Sequence, residues 1–278
     1  MMKIIFSRKG FDSSHGGYAS PIFPDGTLFS VPIPDKKTSI SYKDLKFTYE
    51  GEPIQRILND LTNKKIRSGK KHDCDYFSDK FKCHFDPMIF ENDQFNGIAF
   101  GQEGASASHL INQKVQEGDI FLFYGWFKEV EKIDNKWQYK KDAKDLHVIW
   151  GYMEVGKVLH INNDNTNKIL QIYPFLAKHP HIEITRKNPN IIFISKNFKR
   201  LKYNNYTLLS DIENYKGRSY WKLPSFFNQP QAFTYVKNFI ANNDFVNIKA
   251  PYIGQEFVLD LDSTSEKGKI LEYIFNFS

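Results

Sequence analysis

Cysteine is nearly absent from this chain: among 278 residues there are two, Cys74 and Cys83. Two thiols cannot supply the framework of a disulfide-stapled secreted scaffold, so stability must come from a packed core. His72, Cys74, Cys83 and His84 together invite a zinc site, but the H-x-C…C-H spacing fits none of the common ligand patterns, and no metal is expected. Long hydrophobic runs are missing as well. No stretch approaches the roughly 18 apolar residues of a membrane span, and MMKIIFSRKG is too short and too polar for a signal peptide. A reducing cytoplasm is therefore the expected compartment. Neither an internal repeat nor a low-complexity linker interrupts the chain, and the polar stretch NNDNTN at 162–167 reads as a loop.

What the chain does hold is aromatic. Phe, Tyr and Trp make up 16% of it, with 25 Phe and 15 Tyr, inside an apolar fraction of 41%. That is ample for a core, and the length allows one large domain or two closely packed ones. The formal charge of +6 favours a polyanionic partner such as nucleic acid over an acidic surface. Much of it lies in KKIRSGKK (64–71) and KNFKRLK (196–202), which can either track phosphates or coat solvated loops.

The apolar patterning predicts an α+β fold with a bent, mainly antiparallel sheet and a few flanking helices. KIIFS opens as a strand. GGYASPIFPDGTLFSVPIP (16–34) follows with four prolines and three glycines, an ordered loop with PDG as a turn. Helical spacing places Ile54, Ile57, Leu58 and Leu61 after Pro53 on one helix, and Ile270, Leu271, Ile274 and Phe275 on another at the C-terminal end. Phe233, Val236, Phe239 and Ile240 repeat with the same period after Pro230 and predict a further helix. The longest strands are DIFLFYGWFKEVE and LHVIWGYMEVGKVLHI, with NIIFIS and EFVLDL added later. Gly151 and Gly156 inside the second of these mark bulges or bends of the kind that small barrels need.

Several segments set polar groups among residues that would fix them. SRKGFDSSHGG (7–17) delivers Arg8 and Lys9 into a glycine-bearing loop, with Asp12 and His15 able to move protons; it lacks the GxxxxGK[ST] spacing of a P-loop. A charged surface turn would look the same. In CHFDP, His84 and Asp86 alternate, so an extended backbone puts both on one face, where a carboxylate can assist an imidazole. FGQEGASASHL offers Gln102 and His109 around small residues, and equally a helix start with a core histidine. KHPHI carries His179 and His181. KGRSYWKLP carries Arg218 and Trp221, suited to a phosphate and a stacked base, or to ordinary packing.

SRKGFDS with GG, SPIFPDG, VPIPD, HFDP, FGQEGA with HL, GDIFLFYGWF, HPH, GRSYWKLP and GQEFVLD, in this order, closely resemble the nucleotide modification associated domain 3 family (Nmad3), from about residue 3 to about 260. The resemblance implies a single domain over 1–278 in a cytoplasmic protein of bacteria, archaea or phages, associated by genomic context with base modification. It implies a nucleotide or nucleic acid as partner, alongside other base-modification proteins, and names no cofactor. Within the matching motifs Asp12, His84, Asp86 and His109 are the expected catalytic groups. Ser7, Arg8, Lys9, Ser13, Gln102, Trp126, His179, His181, Arg218 and Trp221 are the expected substrate-binding ones. His15 and both cysteines fall outside the pattern. The Gly-Asp turn into an aromatic strand with a Gly-containing return strand is also similar to PUA-like barrels of the ASCH kind, over residues 115–200, an analogy of fold alone. Two functions follow as expectations: an enzyme acting on a phosphate-bearing nucleotide or base, or a non-catalytic reader that holds modified DNA or RNA in a basic aromatic groove.

Overall fold

A computed structural model describes residues 2–68, 74–76, 80–184, 187–251 and 256–276. Its centre is a nine-stranded sheet whose main path runs Met88–Glu91, Asn96–Glu103, Asn190–Arg200, Leu146–Ile161, Ile120–Ile133, Lys3–Arg8 and Phe257–Asp260. Lys136–Tyr139 and Ser20–Ile22 pair with the long Ile120–Ile133 strand off that path. All of these pairings are antiparallel except those that Lys3–Arg8 and Ser20–Ile22 make with Ile120–Ile133. The proline-rich loop after the first strand thus contributes a short parallel strand.

The sheet is strongly bent. Three ladder steps separate Asn96–Glu103 from Ile120–Ile133, about 14 Å along a flat sheet. Yet the Phe100 ring lies 5.1 Å from that of Phe121 and 5.3 Å from that of Phe123, which requires the two strands to curl toward each other around a concave face. The expected glycine irregularities produce the curl: the ladder slips between Phe123 and Tyr124, in the register where Gly151 opposes Phe123, and again on either side of Val155, next to Gly156. Among the described residues the ladder does not close, however. Met88–Glu91 and Phe257–Asp260 stand at its two ends, so the PUA-like barrel around 115–200 is replaced by an open, bulged sheet.

The concave face buries Ile5, Phe100, Phe121, Phe123, Val148 and Phe193. The opposite face buries Ile4, Phe6, Leu122 and Tyr124 against a second sheet of Tyr220–Pro224, Phe245–Lys249 and Lys237–Ala241 and against the C-terminal helix Lys267–Phe275. The helix Ile54–Thr62 forms where its period placed it, burying Ile54, Ile57, Leu58 and Leu61. The helix expected over 233–240 does not form. Tyr235 and Asn238 have φ near +60°, which ends any helix there. Asn242 accepts from the backbone of Asp244 and Phe245, and this turn folds Lys237–Ala241 back as a strand on Phe245–Lys249. Among the described residues no helix is long and apolar enough to cross a membrane.

Two glycines permit close approaches. A Cβ on Gly125 would lie 2.6 Å from the Lys9 carbonyl oxygen, and one on Gly101 would lie 2.3 Å from the His181 ring. Both distances are shorter than side-chain carbons tolerate.

Candidate functional site

The site lies in the seam that the open sheet leaves. Along the first strand alternate residues face opposite ways, so Ser7 follows Ile5 onto the concave side while Arg8 follows Phe6 onto the other. Phe257 pairs with Phe6, which sets Glu256 beside Ser7. Across the seam, Gln102 is the last residue but one of the strand Asn96–Glu103. Ser7 Oγ donates to Glu256 Oε1 at 3.0 Å, Lys9 Nζ approaches the same oxygen at 3.4 Å, and Gln102 Nε2 donates to it from the far side. Glu256 is 1% exposed, and its Oε2 has no partner among the described residues. Lys9 also lies 4.2 Å over the Phe100 ring. Where backbone hydrogen bonds stop, buried side chains carry the sheet across.

Next to this seam sits an imidazole cluster whose hydrogen bonds assign its tautomers. Asp86 Oδ1 accepts from the Gly101 N–H at 2.8 Å and lies 3.4 Å from His179 Nε2. His179 Nδ1 accepts from the His181 N–H, so Nε2 carries the proton and turns it toward Asp86 and the Ala99 carbonyl. His181 Nδ1 meets Asn190 Oδ1 at 2.8 Å, and Asn190 is itself oriented by donating Nδ2–H to the His181 carbonyl. His181 Nδ1 is therefore the protonated nitrogen and Nε2 the acceptor. His84 repeats the arrangement, with Nδ1 3.3 Å from Asp35 Oδ2, because Ile33–Pro34 pairs with Cys83–His84 and brings Asp35 alongside. His84 Nε2 and His181 Nε2 each face Asp86 Oδ2 at 3.8 Å.

Burial favours a neutral Asp86, but the hydrogen bond from His179, the facing imidazoles of His181 and His179 and the Lys9 charge outweigh it and hold the carboxyl well below the usual range. Burial also disfavours the charged form of His181 and lowers its pKa to about 3, against the pull of Asp86. At neutral pH the cluster thus pairs an ionised carboxylate with a neutral imidazole. His109, on the helix Gly104–Asn112, has Nε2 3.4 Å from Thr234 Oγ1 and its ring 4.6 Å from Tyr235. Burial lowers its pKa, while the nearby Glu256 charge opposes the shift.

A cleft of about 330 Å³ opens beside the cluster, lined by Gly10, Phe29, Phe47, Phe85, Asp86 and Trp150 among others, with Lys46, Lys178 and Arg200 on its walls. Its volume is at the small end for a ligand pocket, and its lining mixes aromatic and charged groups.

Other expected site residues make their contacts elsewhere. Asp12 accepts from the Ser14 and His15 amides at 2.7 Å each, closing its own loop; burial raises its pKa, but the His15 side chain and these two bonds bring it below the usual value. Arg67 donates to the Ser13 carbonyl, and Arg218 donates to Ser13 Oγ while stacking 4.1 Å over Trp126. Trp126 donates to Asp145. Trp221 is fully buried against Phe6, Tyr124 and Phe257, which leaves no ring face for a base. The cysteine-based zinc pattern also dissolves: Cys83 is buried in the core, its thiol pushed strongly up, chiefly by burial, and His72 lies outside the described residues. In the second basic cluster Lys196, Arg200 and Lys202 pair with Glu154, Glu91 and Asp25. Of the first, residues 69–71 lie outside the described residues.

His147, absent from the expected set, gives a pH prediction. It is 2% exposed and accepts the Trp221 indole N–H at Nδ1. Burial, reinforced by the Arg8 and Arg218 charges, keeps its pKa well below the usual 6.5. The folded chain keeps this ring neutral while the unfolded chain protonates it, so its contribution is present above pH 6.5 and lost as pH falls below it. The loss is about 1.4 kcal/mol per pH unit. Urea unfolding at pH 7.5 and 5.5 should show the drop, and His147→Gln should make it smaller, leaving the shares of His181 and His109, whose pKa values burial also lowers; equal pH slopes in the two proteins would contradict the assignment.

The fold is α+β, and the site joins buried carboxylates, imidazoles and an ammonium at the open seam of a bent sheet. The family model for nucleotide modification associated domain 3 matches residues 3–260, and the chain belongs to that family. No curated protein and no solved structure matches it.

Proposed function

We propose that the protein is an enzyme that modifies a phosphate-bearing nucleotide or a base of nucleic acid, with the seam around Lys9, Asp86 and Glu256 as its reaction centre. The carrying observation is convergence. Ser7 and Lys9, His84 and Asp86, Gln102, the His179–His181 turn and Glu256 come from separate parts of the chain to one largely buried polar locus beside an aromatic cleft, and His109 lies near enough to feel the Glu256 charge. Burying two carboxylates is costly unless their interactions are used, and groups arranged this way suit proton transfer. Glu256 Oε2, having no partner among the described residues, is the acceptor that a substrate N–H or O–H would meet. Phe29, Phe47 and Phe85 offer the cleft surfaces for a base, and Lys46 and Lys178 the cations for phosphate.

The test is product formation. The purified full chain is incubated with nucleoside mono- and triphosphates and with plain and base-modified DNA, and nucleosides are resolved by mass. A mass-shifted product is expected, reduced about 100-fold or more in Glu256→Gln. Tight, modification-dependent binding without any product would replace this reading with that of a reader. Equal turnover by Glu256→Gln would remove Glu256 from the chemistry.

A further inference from the structure

We propose that His84, Asp86 and His181 form a binding site for a divalent first-row transition ion, held by two imidazole Nε2 atoms and one carboxylate oxygen. These donor atoms lie within 4.8 Å of one another. Each histidine approaches Asp86 Oδ2 at 3.8 Å, too far for a hydrogen bond. An ion bonded at about 2.1 Å to each would set its ligand atoms roughly 3 to 3.5 Å apart, so contractions of less than an ångström to Oδ2 seat it.

The surroundings argue for a ligand set more strongly than the cluster does. A metal-binding histidine usually donates its second nitrogen to a carboxylate or carbonyl oxygen, which fixes the tautomer and orients the ring. His84 has Asp35 in that role, and His181 has Asn190, whose amide is itself locked by the His181 carbonyl. Asp86 is arranged to match. Its Oδ1 takes the Gly101 N–H and faces the His179 N–H, so Oδ2 is the oxygen presented to the two imidazoles. His179, with its proton on Nε2, positions Asp86 rather than ligating. Gly101 completes the arrangement, since any side chain there would displace the His181 ring.

Three protein donors leave coordination positions for water or substrate, the pattern of catalytic rather than structural sites. Two histidines and one carboxylate suit zinc and non-haem iron(II) alike, and disfavour calcium or magnesium, which prefer oxygen. Asp86 lines the cleft, so an ion has a path in, and one seated there would face the proposed substrate. The inference extends the reading above but does not need its substrate. The Lys9 charge, which also acts on Asp86, opposes an added cation and should weaken the site.

The experiment uses the full chain. Purified protein is assayed for bound metals by elemental mass spectrometry, stripped with chelator, and titrated with Zn²⁺, Co²⁺ and anaerobic Fe²⁺, with Mg²⁺ as the contrast. About one ion per chain is expected for the transition metals, with Co²⁺ d–d absorption reporting nitrogen and oxygen ligation. His84→Ala, at the most exposed of the three ligands, should lose that binding while keeping the far-ultraviolet circular dichroism of the wild type. Asp35→Ala, behind His84, should weaken it about 10- to 100-fold. Wild-type protein that binds no transition ion after stripping, or a folded His84→Ala that binds as tightly as wild type, overturns the site. Metal bound without nucleotide turnover would leave the site standing and refute the enzymatic reading; turnover by metal-free protein, with no ion taken up, would do the reverse.

Discussion

Trp221→Ala should lower the unfolding free energy by about 3–5 kcal/mol, as large-to-small changes of a buried aromatic do. The indole is fully enclosed, with Tyr124 5.0 Å away edge-on and Phe6 and Phe257 at 5.8 and 5.6 Å. It sits where the main sheet meets the second, three-stranded one, so truncation opens a cavity between two layers that neither can fill alone. Trp221→Phe restores most of the volume but leaves His147 Nδ1 without its donor, an orphaned buried acceptor costing about 1–3 kcal/mol. Denaturant unfolding of both variants checks the pair of values. A Trp221→Ala loss under about 1 kcal/mol, or a ligand affinity that collapses while stability holds, would return the ring to the substrate-stacking role that its sequence neighbour Arg218 suggested.

That indole shows where the sequence was legible and where it was not. Continuous apolar runs made the strands plain: LHVIWGYMEVGKVLHI is one strand from end to end, and its glycines do mark irregular pairing. Period alone misread 233–240, because an Asn-Asn-Asp turn and two left-handed residues outweighed four apolar positions. In the site, motif content named His84, Asp86, Gln102, His109, His179 and His181 but not how they divide. Alternation along the first strand sends Lys9 and Arg8 to opposite faces, a consequence available from KIIFSRK once the strand is accepted. Glu256 and Asp35 were visible as polar residues within GQEFVLD and VPIPD. Nothing local, though, shows that a bent sheet brings the first across from Gln102, or that a two-residue pairing brings the second behind His84. Asp12, Ser13 and Arg218 have the residue types of an anion site, yet their hydrogen bonds fasten the opening loop.

Asp86→Ala should be the most damaging change in the seam, costing about 3–5 kcal/mol in chelator-treated protein. The loss has an identifiable source. Without the carboxylate, the Gly101 N–H loses its acceptor, the His179 N–H loses one of two, and the Lys9 charge loses a neighbouring carboxylate while keeping Glu256 and the Phe100 ring. Asp86→Asn separates these structural duties from chemistry. Its Oδ1 can accept from the same two donors, and its NH2 would point at the acceptor nitrogens of His84 and His181, so the amide fits the cluster as found. The expected cost is about 1–2 kcal/mol, with a folded chain that binds no transition ion and forms no product. Equal, large destabilisation by alanine and asparagine would mean that the negative charge itself holds the seam together, with Lys9 as its counterion. Full ion binding by the asparagine variant would mean that the carboxylate is not a ligand, and that the imidazoles converge on it only to pack.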